Sequence, residues 1–316
     1  MGGTGSKRHG GRKAAPTGGV DVQKHKQQRD RILVNKPNGG KVTKRMGSGL
    51  TSTRNPHHKS TKGVRFMRST RLMPKYGHQL SPGSAYLSYY DVLLTYEDIK
   101  ALRNDWLTDN NISFWEEYLE REILPKYPQA RIILLRPTMT FLMMRSQSVK
   151  DIASALPSFK GVTHIFLPIN DNRDVQQAEG GSHWSLLLIS TLDGVAFHYD
   201  SMRGSNYNEG KIASNRMSKI LGIPLRYQQL DDCPQQSNGS DCGVFVCVMM
   251  RHLLVKRLLG HNAKEKVSMS MADKMIDAQG ARKEMLRIIE SFRKEGERRR
   301  SISPAASSSH TPPRIE

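Results

Sequence analysis

Cysteine is scarce: Cys233, Cys242 and Cys247 are all that 316 residues contain. An odd, sparse set builds no disulfide framework and suits a reducing compartment, which places the chain in the nucleus or cytoplasm. Long apolar runs are missing as well. None approaches the roughly 18 residues needed to span a bilayer, and the longest in the C-terminal half, Val244 to Met250, stops at Arg251. The first 30 residues hold no apolar core segment, so no signal peptide is expected. Aromatics are almost absent from the N-terminal stretch, Phe66 being the only one before residue 75, which speaks against specific single-strand nucleic-acid binding there. Acids are equally rare in it: residues 1–80 hold Asp21 and Asp30 against 19 lysines and arginines.

The net charge of +20 is therefore carried by the flanks, since residues 81–292 hold 24 basic and 24 acidic side chains. Residues 1–80, rich in Gly, Lys, Arg, Ser and Thr, cannot bury enough apolar surface to offset their ordering entropy and read as a disordered basic tail. Such a tail could contact nucleic acid nonspecifically or serve as a nuclear address. Its opening, Met1-Gly2-Gly3-Thr4-Gly5-Ser6, fits the short, loose myristoylation pattern. Residues 293–316, with Arg298-Arg299-Arg300 followed by Ser, Pro and Ala, read as a second disordered tail.

The segment between, residues 81–292, reads as the globular unit. Thr95 with an acid three residues on predicts a helix start. Ile112, Trp115, Leu119 and Ile123 predict an amphipathic helix over 109–123. Arg131–Leu135, Thr163–Ile169, Trp184–Ile189 and Val195–Tyr199 suit buried strands, and Leu225–Leu230 is a fifth strand candidate. Residues 242–259 are apolar on nearly every face and predict a buried helix; 271–292, with Met275, Met285, Ile288, Ile289 and Phe292, predict a final amphipathic one. Strands mid-chain with helices at both ends indicate an α+β fold.

Cys242 follows a polar turn and opens the apolar helix, where the helix dipole favours a thiolate. Gly243 beside it permits close approach of a substrate backbone. Cys247, inside the apolar run, reads as a core residue, and Cys233 as a loop thiol without a role. A cysteine nucleophile needs an imidazole within reach, and the imidazole a carboxylate. His183 and Asp200 stand at the facing ends of two consecutive strands. Direct cross-strand pairing of the two requires a loop centred between Thr191 and Leu192, for example the four residues from Ser190 to Asp193; a two-residue Asp193-Gly194 turn would set Asp200 opposite Leu187. Gln236, six residues before Cys242, could donate to an oxyanion together with the Cys242 backbone N–H, and chemistry alone leaves Gln235 an equal candidate. Zinc binding by Cys233, Cys242, Cys247 and His252 is disfavoured, because the spacing lacks close Cys pairs.

His183-Trp184, then Asp200, Gln236 and Cys242, resemble the Ulp/sentrin-specific protease family over roughly residues 85–292. The resemblance implies a papain-like cysteine protease fold with a central mixed sheet flanked by helices, no cofactor, and cleavage after the Gly-Gly terminus of ubiquitin-like modifiers, whether as precursors or on modified lysines of target proteins. It implies that Gln236 rather than Gln235 holds the oxyanion. It further implies that Trp184 covers a narrow channel for the modifier's tail, and that Trp106 and Asp109, from Trp106-Leu107-Thr108-Asp109, line it. Ile169-Asn170-Asp171-Asn172, Gly180-Gly181-Ser182-His183-Trp184-Ser185-Leu186-Leu187 and Phe197-His198-Tyr199-Asp200-Ser201 look most like the deneddylase branch, which acts on the Nedd-type modifier. Pro234 to Cys242 looks at least as much like the SUMO-protease branch. An acetyltransferase or an inactive modifier-binding protein on the same fold are the alternatives in other classes.

Overall fold

Strand residues alternate between two cores. Phe166, Leu186 and Leu188 belong to one buried cluster, and Ile165, Leu167, Leu187 and Ile189 to another. A sheet buried on both faces explains why its strands read as continuous apolar runs. The computed structural model describes Gly2 and residues 81–177, 180–261, 267–302 and 311–316. The chain divides between Met73 and Pro74, and every described residue except Gly2 belongs to the second unit. The readings made for residues 1–80 thus lie outside the described residues, Gly2 apart.

In chain order the elements are β1 (Ala85–Tyr89), β2 (Val92–Thr95), α1 (Tyr96–Asn104), α2 (Asp109–Tyr118), β3 (Ile132–Leu134), α3 (Pro137–Arg145), α4 (Val149–Ala153), β4 (His164–Asn170), β5 (Trp184–Ser190), β6 (Val195–Tyr199), α5 (Tyr207–Leu221), β7 (Arg226–Gln229), α6 (Cys242–His252), α7 (Ala278–Ile302) and β8 (Arg314–Ile315). A π-helical turn extends α2 over Leu119–Ile123, and another extends α6 over Leu253–Leu258. The main sheet runs β3-β4-β5-β6-β7. It is mixed: β4-β5 and β5-β6 are antiparallel, while β3-β4 and β6-β7 are parallel. A smaller sheet runs β2-β1-β8.

Two local signals start the early helices. Thr95 and Thr108 each cap a helix and receive a reciprocal bond, from Asp98 and Asn111. The Asp98 carboxylate also accepts from Thr108 Oγ1 at 2.6 Å, so it joins both helix starts.

Three expectations need correction. The last helix begins at Ala278, because Asp277 Oδ1 accepts from Gly280 N at 2.9 Å and starts it there; Met275 lies before it, fully exposed. The 293–316 tail is not disordered throughout, since α7 runs on to Ile302 and β8 lies beyond. Glu295 pairs with Arg298 and Arg299, and Arg293 with Glu297, which supports a polar helix end. Ser88 N donates to Pro313 O and Tyr90 N to Ile315 O, which seats β8 beside β1 with Ile315 buried. Third, the β5-β6 register pairs Leu186 with Tyr199 and Ser190 with Val195, so the loop is Thr191–Gly194, one residue later than direct His183–Asp200 pairing requires. Ser190 Oγ donates to Asp193 Oδ2 at 2.6 Å and Gly194 takes φ +61°, which together hold that loop.

Candidate active site

Antiparallel β5 and β6 place the residue before the one and the residue after the other at the same end of the sheet. His183 and Asp200 are those residues. Both stand past the last paired positions, with Asp200 level with Ser185 rather than with His183. Side-chain reach closes the offset: His183 Nε2 donates to Asp200 Oδ1 at 2.7 Å. Nδ1 is buried and has no oxygen or nitrogen partner, which leaves it available to the Cys242 sulfur. Burial alone would lower the basicity of His183. The hydrogen bond to Asp200 and the neighbouring Cys242 outweigh it and bring the imidazole up to about 9.

Burial likewise works against an ionised Asp200, and its donors prevail. His183 Nε2, the Asn206 backbone N–H at 2.9 Å and the Met202 backbone N–H at 3.0 Å hold it below the ordinary carboxylate range. Asn206, fully buried, also donates from Nδ2 to Ile169 O, His183 O and Ser185 Oγ. It therefore orients both the carboxylate and the backbone of the imidazole. Asp171 supports His183 from the other side, accepting from the backbone N–H of Ser182 and of His183. Gly181, at φ +91°, sits so close to Asn170 and Asp171 that a Cβ would fall 2.1 Å from Asn170 Oδ1. The Asn170-Asp171-Asn172 and Gly180-Gly181-Ser182 segments thus form one interlocked support. Nothing local in the sequence marks Asn206 or Asp171 for these tasks.

Cys242 is the first residue of α6, the helix packed on β5. It is buried, so a substrate carbonyl must enter a confined slot. Gly243 also admits a close neighbour from within the protein: a Cβ there would meet Leu107 Cβ at 2.8 Å. Leu107 O in turn accepts from Trp184 Nε1 at 3.2 Å. A groove of about 270 Å³ lies along this contact and brings together Trp106, Asp109, Gly181, His183 and Trp184. Trp106 is 44% exposed and Trp184 is buried, so the two present different amounts of ring to an occupant.

The two glutamines differ in what their amides have left to give. Gln235 donates to both Asp200 O and Cys233 O at 2.9 Å, which uses both amide hydrogens. Gln236 donates one to Asn238 O at 2.7 Å, and its Oε1 accepts from Ser201 Oγ at 2.7 Å. Cys247 is a buried core thiol whose acidity burial suppresses. Cys233 lies in the loop between β7 and α6, as expected, but is buried there against Met249 Sδ at 3.5 Å, and burial pushes it up to about 12. All three cysteines are unpaired.

A thiol at a helix N-terminus, an imidazole ahead of one strand and a carboxylate after the next, at one end of a mixed sheet, define a cysteine peptidase of papain-like fold. The chain belongs to the Ulp1 protease family, whose C-terminal catalytic domain matches residues 105–282. NEDD8-specific protease 2 of Schizosaccharomyces pombe is 36% identical over 212 residues, covering 66% of this chain and 50% of that protein. A probable sentrin-specific protease 8 of Dictyostelium discoideum is 31% identical over 193 residues, covering 57% of this chain and 79% of that protein. Among solved structures, the Ulp1 protease domain in complex with Smt3, the yeast ortholog of SUMO, matches at 20% identity and TM-score 0.48, covering 66% of this chain and 87% of that one. The chain spans about half the length of the Schizosaccharomyces pombe relatives it matches. No helix among the described residues is long and apolar enough to cross a membrane.

Proposed function

We propose that the protein is a thiol protease that cleaves a ubiquitin-like modifier after its C-terminal Gly-Gly, and that the modifier is of the Nedd type. The hydrogen-bonded His183–Asp200 pair beside the buried Cys242 carries the chemical part of this reading. The Cys242 sulfur attacks the carbonyl carbon of the modifier's terminal glycine, and its proton passes to His183. Asp200 holds the imidazolium. The Cys242 backbone N–H and the second amide hydrogen of Gln236 receive the developing oxyanion; Gln235 has none to offer. The leaving amine takes the proton from His183, and water then hydrolyses the thioester.

The modifier's tail occupies the groove between Trp106 and Trp184, with Asp109 on its wall. The Nedd-type assignment is supported by relatives at 31–36% identity that are named for NEDD8 or as sentrin-specific protease 8, against 28% for human sentrin-specific protease 2. Three unpaired cysteines support a reducing location, nucleus or cytoplasm. Nonspecific nucleic-acid contact through residues 1–80 belongs to the same reading.

The test is a labelling panel. The Nedd-type modifier, SUMO and ubiquitin, each carrying a thiol-reactive group at the terminal glycine, are mixed with the protein. An adduct with the Nedd-type modifier that disappears in Cys242→Ala is the expected outcome. A SUMO adduct alone would move the assignment to the other branch, and no adduct with any modifier would end the protease reading. Cys242→Ala is expected to abolish turnover while retaining modifier binding; persisting turnover would sink the mechanism.

A further inference from the structure

Arg282 is among the largest fully buried side chains of the protein, at 1% exposure, and it stands on α7, far in sequence from the site. A buried guanidinium must find acceptors for its five N–H groups and a counter-charge. Nη1 donates to Ala101 O at 3.2 Å and Leu102 O at 3.1 Å. Nη2 donates to Asp105 O at 2.8 Å and Ser240 O at 3.1 Å. Nε and Nη2 both reach Asp241 Oδ1, at 3.0 and 2.8 Å. One side chain therefore ties together the C-terminal turn of α1, the entry to Trp106-Leu107 and the residue before Cys242. Ala101 O also accepts the Asp105 backbone N–H at 2.8 Å, whereas Leu102 O lies in the last turn, beyond the helix's own donors; both sit at the negative pole of α1, and a cation suits them.

The consequence for Asp241 matters most. Asp241 occupies the N-cap position of α6, and aspartate is among the best N-cap residues. Yet its side chain makes no capping hydrogen bond. Oδ1 is turned to Arg282, and Oδ2 accepts from Asn238 Nδ2 at 2.8 Å. Left to itself, this carboxylate would fold over the first turn of α6, accept from its N–H groups and set a negative charge against the Cys242 sulfur.

We propose that Arg282 is a positioning residue that keeps the Asp241 carboxylate off the N-terminus of α6, leaving that helix end open to the Cys242 thiolate and to the oxyanion. The proposal rests on Cys242 being the nucleophile, and the experiment separates the two. Intact protein is alkylated in parallel with neutral iodoacetamide and anionic iodoacetate, and the modified cysteine is mapped by peptide mass spectrometry. Wild-type protein is expected to react at Cys242 ahead of Cys233 and Cys247; failure here overturns the nucleophile reading itself.

With that established, Arg282→Gln is expected to slow alkylation at Cys242 and to lower the iodoacetate-to-iodoacetamide rate ratio by about tenfold, since a released carboxylate repels the anionic reagent. Adding Asp241→Asn to Arg282→Gln is expected to restore the ratio, which loss of packing alone would not do. An unchanged ratio in folded Arg282→Gln overturns the proposal, as does a ratio that Asp241→Asn fails to restore. If Arg282→Gln does not fold, Asp241→Asn with Arg282 intact decides: removing the carboxylate must hold or raise the ratio, and a fall overturns the proposal.

Discussion

At His183 two effects oppose each other, and their balance sets a pH dependence. Burial disfavours the imidazolium, while Asp200 and Cys242 favour it and bring the group from its ordinary 6.5 up to about 9. A group raised on folding stabilises the protein fully below the unfolded value, and that contribution is lost as pH rises through the folded one. Stability from this pair is therefore complete below pH 6.5 and gone above about 9. Asp200, lowered on folding, adds the mirror limb: its contribution is present above the ordinary 3.8 and lost as pH falls below it. Urea unfolding at pH 6 and pH 9.5 is expected to show wild type losing a few kcal/mol that His183→Gln does not lose; equal losses in both would refute the assignment. Asp200→Asn is expected to lower kcat by about 10²–10⁴ with little change in modifier affinity, read from steady-state kinetics.

His183, Asp200 and Cys242 were legible because nucleophilic chemistry demands those residue types and the family repeats their order. Asn206 and Arg282 were not. Nothing beside Arg282 in sequence sets it apart from the neighbouring arginines of a polar amphipathic helix, and only the partners contributed by α1 and the α6 entry make it a buried ion. The His183–Asp200 register was misjudged because cross-strand spacing applies to paired residues, and both lie beyond the pairing.

Among the elements, those announced by local chemistry were found and those created by partners were not. The central strands β4, β5 and β6 carry apolar runs and stood out, whereas β7, Arg226–Gln229, is a polar strand at the sheet edge. Thr95 and Asp98 announced α1, and Asp98 proves to do more by joining that start to Thr108 of α2. Asp98→Ala is expected to remove support from both helix starts and cost about 2 kcal/mol, at about 1 kcal/mol per cap, measurable by chemical unfolding. α5 escaped the sequence reading because its buried face is made of small or isolated residues such as Gly210, Ala213 and Met217. β8 has two residues and no local signal at all; it is a strand only because β1 offers an edge.

α7 makes room for that strand. A Cβ on Gly296 would lie 2.9 Å from Arg314 N and 3.0 Å from Pro313 Cβ. Gly296→Leu is expected to unseat β8 and release the Ser88 and Tyr90 amides, which donate to Pro313 O and Ile315 O, to rapid hydrogen exchange. Retained protection at both amides would contradict this account of the contact.

Over the whole molecule, charge and chemistry are separated. Residues 81–292 balance 24 bases with 24 acids, and the excess lies in the flanks. Removing residues 1–80 is expected to leave kcat/KM for a modifier substrate within about twofold, while abolishing any salt-sensitive retention of nucleic acid in filter binding. Unchanged retention would relocate the interaction to the catalytic unit.

The contacts that complete that unit also span most of its length. The α1 carbonyls Ala101 and Leu102 wait for a guanidinium 181 and 180 residues later, and the edge of β1 waits longer still for Pro313 and Ile315. On a ribosome adding about 5–20 residues per second, those 180 residues take roughly 10–35 s. For that interval the nascent chain carries an open strand edge and an unclamped helix end, with Asp241 free to fold onto α6 as soon as it emerges. The window closes only when the last helix and strand leave the exit tunnel, so the rate of translation sets how long neighbouring chains on a polysome can pair with that edge.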